Sequence, residues 1–293
     1  MRRRHRQRRL TGRWRADTAA WACLAPALLW TLAFFVVPFV VMAAMSLATL
    51  EGRMLVWGLY PDNYAALVER GFMTRAFGVS LEITLTVTVV SILLAYPLAW
   101  IIAYRVPPRW QRLALLLALL PFWTSYVVRS YAWLLVLSRE GVVNDALLWA
   151  GIVAEPVKLA ATRFATVTGF VHFFTMLLTL TIYANLRQLP ANYARAARDL
   201  GASDFQTFVH VILPLTMPGI ATGAFLTFVL CIGDYITPQI LGGNNELTVP
   251  QIIMVQLGRR ADFPLAAALS IALMATVTLA YLAMARWMRF DRP

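Results

Sequence analysis

Six long apolar segments alternate with polar stretches along the chain. They cover approximately residues 20–47, 77–104, 113–137, 164–186, 214–237 and 264–288. A helix needs about 20 mostly apolar residues to cross the hydrocarbon core of a bilayer. The pattern therefore predicts an all-α, polytopic membrane protein, with a six-span domain over residues 20–293 behind a short tail over residues 1–19. Pro121 falls inside the third segment, where proline is tolerated and often bends the helix.

The composition supports a membrane protein and argues against several other classes. Of the 293 residues, 60% are hydrophobic and 14% are charged, and this charged fraction is about half of the usual soluble share. A soluble domain of this size could not bury so much apolar surface in one core. Cys23 and Cys231 lie in apolar segments and the three histidines are scattered, so the sequence offers neither a disulfide framework nor metal-ligand spacing. We expect no cofactor, no metal site and no catalytic cluster.

The tail over residues 1–19 is strongly basic, with eight arginines before Asp17. A basic run of this kind can bind nucleic acid or an anionic membrane surface. Because it directly precedes a long apolar segment, we interpret it as a cytoplasmic anchor on lipid and expect no nucleic-acid partner. The apolar segment is too long for the core of a secretory signal peptide, so we expect it to remain as the first span.

Basic residues are distributed unevenly between the two sides of the predicted bundle. With the N-terminus in the cytoplasm, 17 basic residues fall in cytoplasmic segments and eight in outer loops. The positive-inside rule expects this bias, so both termini are predicted to be cytoplasmic. In the outer loops, residues 63–70 and 143–151 are predicted to form short surface helices, with Asn144 exposed. An irregular polar loop is the alternative for both.

The cytoplasmic loop over residues 187–213 is too long and too patterned to be a simple connector. Residues 192–200 are predicted to form an amphipathic helix that ends at Gly201, because glycine accepts the left-handed conformation that closes a helix. Ser203 and Gln206 have the spacing of a capping box, which predicts a second helix. One face of the first helix carries Tyr193, Ala196, Ala197 and Leu200, and the second presents Phe205, Phe208, Val209 and Ile212. The pair either docks into a groove on a partner or packs against its own bundle.

A motif in this loop is similar to the EAA loop of binding-protein-dependent ABC importer permeases. It consists of Arg195-Ala196-Ala197, three residues, Gly201, nine residues, and Val211-Ile212-Leu213-Pro214. The resemblance implies the type I importer permease fold, and it implies that the loop couples to a cytoplasmic ATPase dimer. Arg195 stands where the family pattern has glutamate, which reverses the charge on an exposed face.

Two further segments resemble the spermidine/putrescine permeases. These are the run Pro121-Phe122-Trp123-Thr124-Ser125 with Arg129, Tyr131 and Trp133, and the run from Gly233 to Gly243 that begins Gly-Asp-Tyr-Ile-Thr-Pro. The resemblance implies a multi-pass protein of the bacterial inner membrane. It also implies an extracytoplasmic binding protein and a second, homologous permease as partners. Related permeases serve opines, amino-phosphonates or iron, so these solutes are the alternatives to a polyamine.

A cationic cargo gives particular interest to polar and aromatic residues near the outer ends of the spans. The candidate pathway residues are Trp123, Tyr126, Arg129, Tyr131, Asp234 and Tyr235. Aromatic faces can contact an alkylammonium group, although anchoring and packing are the simpler roles. Asp234 either faces the pathway, caps local backbone or pairs with Arg129, which we expect to neutralise a carboxylate. Glu82 is expected to be solvated at the interface.

The chain has no phosphate-binding loop of the G-x4-G-K-[ST] kind, so we expect no enzyme activity and a separate ATPase subunit. A secondary transporter would show internal repeats or broken helices around buried ion ligands, and no clear repeat is present. A membrane-embedded enzyme would need clustered histidines or carboxylates within the spans. The sequence therefore favours an importer permease over both alternatives.

The charge distribution makes a direct prediction about topology. Reporter fusions at Arg109 and Asp204 should give cytoplasmic signals, and fusions in the loops around Arg53, Lys158 and Asn245 should give periplasmic ones. A periplasmic signal at Arg109 or Asp204 would contradict the six-span arrangement.

Overall fold

The computed structural model describes residues 21, 23–52, 54–243 and 247–288 of the chain. The predicted tail over residues 1–19 lies outside these residues, as do Arg53 and Asn245. The described part of the chain is almost entirely helical. Its twelve helices are α1 (Cys23–Met45), α2 (Asp62–Glu69), α3 (Gly71–Arg105), α4 (Pro108–Trp123), α5 (Tyr126–Val136), α6 (Val142–Trp149), α7 (Arg163–Gln188), α8 (Ala191–Asp199), α9 (Asp204–Ile232), α10 (Ile236–Leu241), α11 (Val249–Val255) and α12 (Phe263–Met288).

Five of these helices, α1, α3, α7, α9 and α12, are long and apolar enough to cross a membrane. The pair α4 and α5 is together apolar enough to form a sixth, broken span, and its two helices meet at an angle of 90°. The segment predicted over residues 113–137 therefore contains a full break near Pro121, where the sequence predicted only a tolerated proline that often bends the helix. Pro121 lies in a 3₁₀ turn at the end of α4, and Thr124 and Ser125 are extended. The Pro121 carbonyl accepts from both the backbone N–H of Thr124, at 3.3 Å, and its hydroxyl, at 2.7 Å, so this carbonyl is satisfied at the break.

The fifth span also differs from its predicted limits. Helix α9 runs without interruption from the loop after α7 into the bundle, so Leu213 and Pro214 do not separate a loop helix from a span. Proline usually disrupts a helix because its ring clashes with the carbonyl four residues earlier. Here the turn that precedes Pro214, Phe208–Ile212, is a wider π-helical turn. We infer that this wider turn accommodates the proline and keeps the helix continuous.

The bundle is held together where helices approach closely through small residues. Helices α3 and α7 pack along much of their length, and α9 packs against both. A Cβ atom at Gly219 would lie 2.3 Å from Asn185 Nδ2, and one at Gly223 would lie 2.8 Å from Leu178 Cδ2. Both glycines therefore allow α9 to approach α7, which is how spanning helices gain packing energy without a hydrophobic driving force.

The outer loops contain both predicted short helices, α2 and α6, which confirms their existence. A two-stranded antiparallel hairpin, β1 (Thr49–Glu51) and β2 (Met54–Val56), is an addition to the all-helical prediction. The expectation that Asn144 is exposed is wrong. Its side chain is fully buried and joins two loop segments, because its amide donates to the carbonyls of Ser138 and Val157 and its oxygen accepts from the Val157 N–H.

Candidate coupling loop and outer polar cluster

The predicted glycine elbow is present in the loop between α7 and α9. Gly201 has φ of +86°, as the sequence analysis expected. The N–H of Gly201 donates to the Arg198 carbonyl, and the N–H of Ala202 donates to the Ala197 carbonyl. These two bonds form a Schellman motif, which satisfies the carbonyls at the end of α8. Gly201 therefore sets the angle between α8 and the start of α9.

The predicted capping box starts α9 directly after the elbow. The hydroxyl of Ser203 accepts from the Gln206 N–H at 3.2 Å, and the Gln206 side chain accepts from the Ser203 N–H at 2.9 Å. Across the elbow, Arg198 Nε lies 3.6 Å from Asp204 Oδ1. This ion pair is exposed, so its contribution to stability is under about 1 kcal/mol. The backbone of the loop, not the ion pair, fixes its shape.

The loop presents apolar side chains to solvent on both sides of Gly201. Leu200 is 90% exposed and Phe205 is 75% exposed. Tyr193, Arg195, Ala196 and Pro214 are also exposed, whereas Ala197 and Leu213 are half-buried. The apolar face predicted for the second loop helix does not lie on one side, because Phe208 and Ile212 pack into the bundle core while Phe205 points away from it. Leu200 and Phe205 therefore form an exposed apolar surface next to the elbow.

At the end of the bundle opposite the loop, which the charge distribution predicts to be the outer end, Asp234 is occupied by hydrogen bonds within the chain. Its carboxylate accepts from the backbone N–H groups of Ile236 at 3.0 Å and Thr237 at 3.2 Å, and so caps the start of α10. It also accepts from the Tyr126 hydroxyl at 2.7 Å, and Tyr126 in turn accepts from the Thr237 hydroxyl at 2.8 Å. Tyr126 is the first residue of α5. The cluster therefore joins the break in the third span to the break between α9 and α10.

Arg129 does not pair with Asp234, which corrects the expectation that it neutralises a carboxylate. It is 7% exposed, and its Nη1 donates to the Pro121 carbonyl at 3.2 Å. Its guanidinium carbon lies 5.0 Å from the centre of the Tyr126 ring and 4.6 Å from that of Phe173. The charge is therefore held by two aromatic faces and by a carbonyl at the C-terminal end of α4, where the helix dipole is negative.

The other candidate pathway residues are more accessible. Trp123 is 81% exposed, Tyr131 53% and Tyr235 39%. Their side chains are not part of the Asp234 cluster described above. The Glu82 carboxylate, expected to be solvated, is indeed exposed but also forms an ion pair with Arg163 Nη1 at 2.6 Å.

Several members of the outer cluster were not identified from the sequence. Phe173 contacts Arg129 and Tyr126, and its ring stacks on Phe122 at 5.2 Å. The adjacent His172 accepts a hydrogen bond from the Trp133 indole at 2.9 Å. His172 was the one indication of this contact in the sequence, because a polar residue inside an apolar span normally has a hydrogen-bond partner. The identity of that partner depends on the packing of α5 against α7.

The hydrogen bonds to Asp234 predict its effect on stability. In Asp234→Ala, two backbone N–H groups and one phenol lose their acceptor, which costs about 1–3 kcal/mol when such groups are buried. We expect a lower melting temperature of the purified protein in detergent, and a smaller decrease for Asp234→Asn, whose amide oxygen still accepts. Asp62→Ala removes an exposed carboxylate in the first turn of α2 and is the control. If Asp234→Ala melts like the wild type, the cluster does not hold the two breaks together.

The comparisons with known proteins agree with this architecture. Residues 25–290 match the family described as binding-protein-dependent transport system inner membrane component. The spermidine/putrescine transport system permease protein PotB of Escherichia coli strain K12 is 32% identical over 259 residues, which is 88% of this chain and 93% of that protein. PotB of Haemophilus influenzae is 32% identical over 254 residues, covering 86% of this chain and 87% of the relative.

Solved structures of ABC transporters share the fold. A chain from the crystal structure of a bacterial transporter that imports the acidic polysaccharide alginate superposes with a TM-score of 0.71 at 20% identity, covering 96% of this chain and 100% of that chain. A chain of the MetNI methionine transporter in an inward-facing conformation gives a TM-score of 0.58 at 15% identity, covering 76% of this chain and 97% of that one. The arrangement is therefore the type I importer permease fold, and the chain belongs to the family of binding-protein-dependent transport system inner membrane components.

Proposed function

We propose that this chain is a transmembrane permease subunit of an ABC importer that moves a polyamine, such as spermidine or putrescine, delivered by an extracytoplasmic binding protein. The observation that carries the proposal is the 32% identity to PotB permeases over 88% of the chain. The match extends through both outer breaks and the coupling loop, so it includes the parts that contact cargo and partners in this scheme.

The ATPase partner is proposed to sit on the loop around Gly201. Leu200 and Phe205 extend from the protein on either side of the elbow, and they are apolar side chains without cover in the described chain. Since the sequence has no phosphate-binding loop, ATP hydrolysis must come from another subunit. A rigid elbow would transmit a movement of the ATPase directly to α9, because α9 is continuous from Asp204 to Ile232.

A second permease is proposed to cover α1. No residue in the most apolar stretch of α1 is buried within the described chain, although the helix contacts α12. A homologous permease, packed against this face, would complete the translocation pathway. The orientation follows from the basic residues, with both termini and the coupling loop in the cytoplasm.

The cargo path is proposed to run past the exposed aromatic side chains at the outer breaks. Trp123, Tyr131 and Tyr235 are accessible and can present ring faces to an alkylammonium group. Tyr126, Arg129 and Asp234 are proposed to position the two breaks instead, because their polar atoms are engaged inside the chain.

Uptake assays test the cargo. The permease, expressed with its own ATPase, second permease and binding protein in cells without polyamine uptake, should restore accumulation of labelled spermidine or putrescine. Trp123→Leu should lower the uptake rate a few-fold, because a cation–π contact is worth about 0.5–2 kcal/mol, and Trp123→Phe should retain most of it. Uptake of iron or an amino-phosphonate without polyamine uptake would contradict the proposed cargo.

A second prediction concerns the residues of the loop that contact the ATPase. Exposed ion pairs contribute under about 1 kcal/mol, so Arg195→Ala and Arg195→Glu should leave the complex nearly intact. Leu200→Asp should disrupt it, because the substitution places a charge in the apolar contact. The measurement is co-purification of the ATPase with each variant in detergent.

The reverse result would change the account of this loop. If Arg195→Ala alone releases the ATPase while Leu200→Asp retains it, an acidic residue of the ATPase recognises Arg195 and the apolar contact is secondary. A normal thermal melt for each variant excludes misfolding as the cause.

A further inference from the structure

A deep cleft opens beside the coupling loop, at the same end of the bundle. Its volume is about 980 Å³, and its walls come from the ends of α3 and α7, from α8 and from the first turns of α9. The Tyr104 hydroxyl donates to the Leu186 carbonyl at 3.3 Å and ties two of these walls together. The cleft is therefore a built feature of the fold and is too large to be filled by a single side chain.

The mouth of the cleft is strongly basic. Four arginines line it, and they come from three different helices: Arg105, Arg187, Arg195 and Arg198. All four are exposed. Asp204 is the one carboxylate among the lining residues, and it lies 3.6 Å from Arg198. The positive charge of the mouth is thus mostly uncompensated, which favours an anionic group.

The floor of the cleft is aromatic and lies within the membrane-spanning part of the chain. The ring of Phe208 meets Trp100 at 5.3 Å and Tyr96 at 5.6 Å, both edge to face. Tyr96 and Trp100 belong to the span Gly71–Arg105. Tyr96 precedes Arg105 by nine residues, which corresponds to about 13 Å along a helix axis. The cleft therefore leads from a basic mouth to an aromatic floor inside the candidate span.

We propose that this cleft binds an anionic phospholipid, with the phosphate among the arginines and an acyl chain against Tyr96, Trp100 and Phe208. Guanidinium groups bind phosphate through paired, charge-assisted hydrogen bonds. Basic pockets between spanning helices on the cytoplasmic side are suited to anionic headgroups. Arg195 and Phe205 line the cleft and also belong to the surface proposed for the ATPase. An acidic segment of the ATPase is therefore the competing occupant, but it does not require an aromatic floor inside the span.

The position of this lipid gives it a functional consequence. It would contact α8, which carries the exposed coupling face, and α3, which packs along α7 through the bundle. An occupied cleft would hold α8 against the ends of the spans. The inference does not depend on the identity of the cargo.

Trp100 provides a direct probe. The purified chain, without ATPase, is placed in phosphatidylcholine nanodiscs with increasing fractions of phosphatidylglycerol that carries brominated acyl chains, which quench nearby tryptophan fluorescence. The contribution of Trp100 is the difference between wild type and Trp100→Phe. We expect brominated phosphatidylglycerol to quench it at a much lower fraction than brominated phosphatidylcholine does.

Charge variants assign the effect to the cleft. In the double variant Arg105→Gln with Arg187→Gln, the preference for phosphatidylglycerol should fall by about tenfold or more, because each arginine near an anionic surface contributes about fivefold. The pair Arg105→Lys with Arg187→Lys should retain most of it. Arg109→Gln with Arg112→Gln removes two exposed arginines that do not line the cleft, and should leave the preference unchanged. Size-exclusion profiles and melting temperatures confirm that each variant is folded.

Four results would overturn the proposal. Equal quenching by the two brominated lipids would indicate a groove without headgroup selection. An equal loss in the Arg109 and Arg112 variant would indicate a general surface charge. Displacement by millimolar glycerol phosphate would indicate a site for a free phosphate compound. Absence of lipid preference, together with loss of ATPase co-purification in the Arg105 and Arg187 glutamine variant, would assign these arginines to the ATPase.

Discussion

A backbone N–H or C=O group in the hydrocarbon core has no water to bond, so every break in a spanning helix must be satisfied by the protein itself. This constraint governs the outer half of the bundle. At the break in the third span, the Pro121 carbonyl accepts from the backbone and hydroxyl of Thr124 and from Arg129. At the break after α9, the N–H groups at the start of α10 donate to Asp234. Tyr126 connects the two breaks, because it begins the helix after the first break and its hydroxyl donates to Asp234 at the second. Neither break can therefore move far without the other.

Charged side chains on the spanning helices are also balanced by groups of the chain itself. Arg129 is buried and has no carboxylate partner among the described residues, and its charge is balanced by the rings of Tyr126 and Phe173 and by a helix terminus. Glu82 is paired with Arg163.

The two ends of the bundle differ in how their side chains are satisfied. The outer cluster is closed by internal hydrogen bonds, whereas the coupling loop leaves Leu200 and Phe205 open to solvent. Between them, α9 is one helix from Asp204 to Ile232. A displacement of the loop would thus reach the outer break as a movement of a single rigid element, whose close contact with α7 at Gly219 and Gly223 limits the directions it can take.

The sequence by itself determined the features that depend on near neighbours in the chain. Apolar length placed the spans, and the local geometry of a glycine and of a Ser203–Gln206 pair fixed the elbow and the start of α9. The tertiary structure alone decided that the third span bends by 90° at residues 124–125 and that α9 continues through Pro214. It also decided that Asp234 bonds Tyr126 while Arg129 does not bond Asp234. The bond between Tyr126 and Asp234 joins side chains 108 residues apart. The break and the continuity of α9 depend on backbone geometry, which apolar periodicity does not specify.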